Sequence, residues 1–246
     1  MKRQNVVFEE YMKYIFPRFD GKGGAVHRIK ASCENPKTAF IRHSFGSDEC
    51  LNEFVSLGSI IDANRLFKSK AKYMNNNEYS FGINSGYAAK GGVILNEISS
   101  GGNAKIFEVD WRRSFGERKK TQYFWGWNSN VMFSSPGINM KQQSALKINY
   151  PTDHLTFEIH FSEMYPLKDS PYVVRINKEK EEVKVAEAIK SEHIKKLLIS
   201  QVKYKEISKV FTVKISNPIL RCEYRMVWEI DFDKLGKYLL WLESHM

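Results

Sequence analysis

Apolar and polar positions alternate most clearly from Phe211 to Ile230, FTVKISNPILRCEYRMVWEI. Phe211, Val213 and Ile215 fall on one side of a first run, with Thr212 and Lys214 on the other. In a second run Cys222, Tyr224, Met226, Trp228 and Ile230 share a side opposite Arg221, Glu223, Arg225, Glu229 and Asp231. Successive side chains of a strand leave opposite faces, so this period of two predicts two strands, each with one buried and one wet face. Ser216-Asn217-Pro218 between them carries turn chemistry, and a β-hairpin is expected.

Upstream, Val6–Phe16 has apolar residues at 7, 8, 11, 12, 15 and 16, the stripe of a helix that Pro17 would end. Ala25–Ser32 and Thr38–Phe45 read as short strands of one hairpin, and Ser47 with Gly58 would cap a short helix between them. Ile60–Phe67 fits either helix or strand, and Lys68–Asn77 is a polar connection. Glu78–Ile83, Val93–Ser99 and Lys105–Trp111 read as strands, the last two joined by the turn Ser100-Gly101-Gly102-Asn103. Beyond the small residues Ser134-Ser135-Pro136-Gly137, strands are expected at Ser144–Tyr150, His154–Ser162 and Pro171–Asn177. Val185–Ser200 is spaced as a helix, although Val183–Ala186 also suits a strand, and Phe232–Met246 is an amphipathic terminal helix.

The fold class expected is β-rich α+β: a mixed, basic N-terminal half over 1–136, then an antiparallel sandwich-like half over 137–246 closed by the terminal helix. The 246 residues, 42% hydrophobic and 27% charged, suffice for an ordinary core. No apolar run reaches the roughly 20 residues that cross a bilayer, and Glu9, Glu10 and Lys13 interrupt what would be the apolar part of a secretory leader. Cys33, Cys50 and Cys222 lack paired metal or disulfide spacing, so the expectation is a cytoplasmic protein. The net charge of +10 is uneven, residues 1–138 holding 20 Lys/Arg against 13 Asp/Glu. Such an excess suits an acidic partner or nucleic acid.

The segment from Trp111 to Asn128 concentrates that charge. Arg112, Arg113, Arg118, Lys119 and Lys120 interleave with Trp111, Phe115, Tyr123, Phe124, Trp125 and Trp127. Cations meet phosphates or carboxylates, and exposed aromatic faces stack on bases or anchor a protein interface. The competing reading is a hairpin whose GERKKT tip is solvated and whose aromatics are core. The Gly82–Gly92 stretch has Lys90 ahead of its glycines and no following Ser or Thr, so it is not a phosphate-binding loop of the Walker type. The six histidines show no HExxH or paired Cys/His spacing, and neither a metal nor another cofactor is expected.

Residues 155–176, LTFEIHFSEMYPLKDSPYVVRI, resemble the strand–loop–strand of ubiquitin-conjugating and related RWD folds through Tyr165-Pro166 and Pro171. The block that would carry the catalytic cysteine of that family does not follow, and Cys222 lies far downstream. From the basic and aromatic segment, the expected function is a non-enzymatic binding or adaptor module for a protein partner, with contact residues Arg112, Arg113, Arg118, Lys119, Lys120, Trp125 and Trp127. Nucleic-acid binding through the same residues is the alternative. A hydrolase or nuclease using His43, Asp48 or His160 is the third reading.

Overall fold

The computed structural model describes residues 6–17, 23–46, 51–58, 95–101, 104–129, 141–161, 165–177, 179–190, 209–231, 233–237 and 240. The described residues form three sheets. In chain order the strands are β1 (Val6–Pro17), β2 (Gly23–Cys33), β3 (Phe40–Gly46), β4 (Leu51–Gly58), β5 (Leu95–Gly101), β6 (Ala104–Asp110) and β7 (Lys120–Ser129). A helix α1 (Trp111–Phe115) separates β6 from β7. Then follow β8 (Lys141–Lys147), β9 (Thr152–Phe161), β10 (Tyr172–Ile176), β11 (Glu182–Glu187), β12 (Ile189–Lys190), β13 (Lys209–Ser216) and β14 (Glu223–Glu229). A seven-stranded sheet runs β12-β13-β9-β1-β2-β7-β4, a four-stranded one β11-β10-β14-β8, and a three-stranded one β3-β6-β5. A short helical segment over 233–237 follows the last strand. This is the β-rich α+β class expected.

Several elements differ from the sequence expectation. Val6–Phe16 is a strand, not a helix; a bulge between Phe8 and Glu10 interrupts its alternation and hid the period of two. Val6 and Phe8 face inward before the bulge, and Tyr11, Lys13 and Ile15 after it. The three-residue step from 8 to 11 imitates helical spacing, and Lys13 occupies a core position that reads as polar. The segment expected as a helix at Ser47–Gly58 contains β4, whose pairing with β7 is irregular between Leu51 and Glu53 and between Ser56 and Gly58. Val185–Lys190, expected to start a helix, belongs to β11 and β12.

Two hairpins are also corrected. β13 and β14 are strands but not partners: β13 pairs with β9 and β12, and β14 with β10 and β8. Likewise β2 and β3 lie in different sheets, whereas β5 and β6 form the expected hairpin, closing at Gly101 and Ala104. Ile60–Phe67, Lys68–Asn77, Glu78–Ile83 and the Gly82–Gly92 stretch lie outside the described residues, as does Asp48.

The seven-stranded sheet draws β1, β2, β4 and β7 from before residue 136 and β9, β12 and β13 from after it. The joint is the parallel pairing of β1 with β9, from Phe8 opposite Thr152 to Ile15 opposite Ile159. Register carries one inner face across the sheet: Ile215, Leu155, Tyr11, Ile29 and Tyr123 form one row, and Val213, Phe157, Lys13 and His27 the next. Both smaller sheets pack on this face. Phe161 meets Trp228 of the four-stranded sheet edge-on at 6.0 Å, and His43 of the three-stranded sheet reaches Tyr123. β9 is buried on both faces along its middle, since Thr156 and Glu158 are buried as well as Phe157 and Ile159.

Candidate functional site

α1 and the turn after it build a small basic knob. Asp110 caps the helix, its Oδ1 accepting the Arg113 amide at 3.0 Å, and the Gly116 amide closes it on the Arg112 carbonyl at 2.9 Å. Gly116 sits at φ +67°, a backbone position that side chains with a Cβ rarely adopt. The turn is then tied down twice: Trp111 Nε1 donates to the Arg118 carbonyl at 2.7 Å, and the Cys33 amide to the Lys119 carbonyl at 2.8 Å. Beneath it Phe115 meets Trp111 edge-on and Tyr123 at a tilt, with ring centroids 5.3 and 5.5 Å apart.

This arrangement sorts the expected site residues. Arg112, Arg113, Arg118, Lys119 and Lys120 are all exposed. Lys120 pairs with Glu9 at 2.6 Å. Among the described residues no carboxylate lies within 4.0 Å of the other four side chains. Trp111 and Tyr123 are fully buried, and Phe115 is half-buried against them. Trp125 and Trp127 stand on β7 opposite His27 and Ala25; their side chains lie outside the described residues. The described side chains therefore separate into exposed cations and the inward aromatics Trp111, Phe115 and Tyr123, and the GERKKT composition signals the exposed turn.

A second cluster, which the sequence reading missed, lies inside. Lys13, His27, His43, Tyr11, Tyr123 and Tyr150 are buried where the three sheets meet. Lys13 Nζ donates to the Ala145 carbonyl of β8 at 2.6 Å. Tyr11 Oη and His27 Nδ1 share a bond of 3.0 Å, His43 Nε2 and Tyr123 Oη one of 2.8 Å, and Tyr150 Oη accepts the Arg42 amide at 2.7 Å. Burial disfavours the charged form of each base. It draws the Lys13 ammonium down to about 7 against the opposing pull of the Glu223 carboxylate. Burial also holds His27 well below its ordinary value and takes His43 to about 3.

Of the third reading's residues, His43 and His160 are not brought together, and Asp48 lies outside the described residues. His43 faces Tyr123 on the inner face of the large sheet, while His160 projects from the opposite face of β9, bonded to Glu158 at 2.7 Å beside the Tyr14 ring. Among the described residues no group of three or more His, Cys, Asp and Glu is arranged to hold a metal ion. No described helix is long and apolar enough to cross a membrane.

No family model matches the chain, and no curated protein matches it. Solved structures give distant likenesses. A putative protease from Parabacteroides distasonis ATCC 8503 aligns at 9% identity and TM-score 0.46 over 92% of this chain and 40% of its own. Baculovirus P35 aligns at 9% identity and TM-score 0.34 over 93% of this chain and 98% of its own. The Mu homology domain of Danio rerio Fcho1 with bound Eps15 peptide aligns at 7% identity and TM-score 0.24 over 92% and 79%. Likeness at this level defines no common activity.

Proposed function

We propose that the chain is a non-enzymatic binding module that engages the acidic surface of a protein partner through the knob at Arg112, Arg113, Arg118, Lys119 and Lys120. The observation that carries this reading is the set of four exposed cations without a carboxylate partner among the described residues, held on a capped and pinned turn. A backbone ordered before association loses less freedom on binding, and the exposed charges steer encounter with an oppositely charged surface. Trp111 and Tyr123 are packed inward and offer no face to an unpaired base, so the nucleic-acid alternative would use the same cations together with Trp125 and Trp127.

The test compares the wild-type chain with Arg112→Glu/Arg113→Glu/Arg118→Glu as baits. A protein retained by the wild type should be released increasingly as salt is raised and be lost from the variant. Equal retention by both baits overturns the proposal. Fluorescence anisotropy with a Glu-rich peptide and a single-stranded oligonucleotide, at one salt concentration, separates the classes: tighter binding of the oligonucleotide favours the nucleic-acid reading.

A further inference from the structure

β11 (Glu182–Glu187) is the outermost strand of the four-stranded sheet, and among the described residues nothing pairs with its second edge. Its residues are exposed except for the half-buried Ala186, and Val183 and Val185 are each 40% accessible. Two valines on an open strand edge are a template for another strand.

Register fixes which backbone groups face that edge. β11 pairs with β10 as Ile176–Glu182, Arg175–Val183 and Val174–Lys184. One step further towards the turn, the Asn177 amide donates to the Glu181 carbonyl at 3.1 Å. Antiparallel pairs alternate between bonded and unbonded. Asn177–Glu181 and Arg175–Val183 are therefore bonded, and Glu182 and Lys184 turn their N–H and C=O groups away from β10, to the open edge. Beyond the bulge at Val185, the Ala188 amide donates to the Pro171 carbonyl at 2.8 Å, and by the same alternation Glu187 also points outward.

Two outward residues of opposite charge, two positions apart, make this edge complementary to itself. We propose that β11 pairs antiparallel with β11 of a second copy of this chain, about a two-fold axis at Val183, joining two four-stranded sheets into one. Glu182 then stands opposite Lys184 of the second copy, and Lys184 opposite its Glu182, each pair exchanging two backbone hydrogen bonds. Between them Val183 meets Val183 of the second copy in a close unbonded pair, and apolar surface leaves water. Other registers that set outward groups of this regular stretch against each other centre on Glu182 or on Lys184, and both oppose like charges. The surrounding charges fit the same axis. Glu182 lies 3.3 Å from Lys141 and 3.5 Å from Arg225, and Lys184 lies 2.6 Å from Glu187. Sign therefore keeps alternating across the joint: the β8 and β14 cations, Glu182, Lys184 of the second copy, then its Glu187. The bulge at Val185 and the turn at Lys180, φ +64°, bound the regular stretch, so the joint is short and the dimer weak.

Sedimentation of the wild-type chain should show the average mass rising from one chain towards two as concentration approaches about 1 mM. Lys184→Glu and Glu182→Lys each set like charges across the axis, and each alone should stay monomeric. An equimolar mixture should dimerise, because one variant then carries two carboxylates at the edge and the other two ammonium groups. Val183→Cys treated with oxidised glutathione should give a disulfide-linked dimer, since the close pair brings both thiols within bonding range, and Val185→Cys should not. The wild type, with Cys33, Cys50 and Cys222, is the blank. Should Glu182→Lys, which gives up Lys141 and Arg225, fail to fold, the cross-link decides alone. A wild type that stays monomeric throughout, single variants that dimerise as it does, a mixture no heavier than its components, or equal cross-linking from positions 183 and 185 overturns the pairing.

Discussion

Trp228 shows how single residues tie this core together. It is buried, meets Phe161 edge-on across the inter-sheet space, and donates its indole N–H to Tyr165 Oη at 3.0 Å. Trp228→Phe should keep most of the apolar contact but remove the donor, destabilising the fold by about 1–3 kcal/mol in chemical denaturation. Trp228 and Tyr224 were legible in the sequence as core residues, because both sit on the apolar side of an unbroken alternation. Lys13 and His27 were not. Their side chains are polar, and only the placement of neighbouring strands encloses them. The histidines carry a distinct consequence in acid. Their folded pKa values are depressed, so the stability they leave intact above 6.5 should be lost progressively as the pH falls towards 3, measurable as a declining melting temperature.

Among the elements, β9 should be the most protected. It has β1 on one edge and β13 on the other, and along its middle both of its faces are buried. Its amides should exchange most slowly in hydrogen exchange, and β12, two residues long at a sheet edge, should exchange fast. The strand itself was legible from Leu155, Phe157, Ile159 and Phe161. Its second covered face was not, since Thr156 and Glu158 look like a solvated side. β1 shows the opposite failure: one bulge between Phe8 and Glu10 was enough to make a strand imitate a helix. The knob depends on a backbone detail of the same size. Gly116→Ala meets no steric neighbour but must hold φ near +67°, so it should weaken the fold by about 1–2 kcal/mol and blunt acidic-partner binding, read by denaturation and anisotropy together.

At the scale of the molecule, the seven-stranded sheet takes strands from both sides of residue 136. Fragments 1–136 and 137–246 expressed separately should each lack cooperative unfolding, and mixing them should restore it. Circular dichroism melts of each fragment and of the mixture check this. Sequence patterning identified most strands here but not their partners, because pairing across long separations leaves no local trace. The exposed cations at 112–120 were visible from composition; that they stand on a capped turn with Trp111, Phe115 and Tyr123 turned inward required the fold.

The parallel joint between β1 and β9 has a consequence for biosynthesis. Phe8 leaves the ribosome well ahead of its partner Thr152, which must be translated before that side of β1 can close. At usual elongation rates the wait is on the order of ten seconds. Throughout it the nascent chain presents an unsatisfied backbone ladder with Phe8, Tyr11 and Ile15 beside it. Slowing translation after residue 129 should lengthen that exposure and increase association with holdase chaperones.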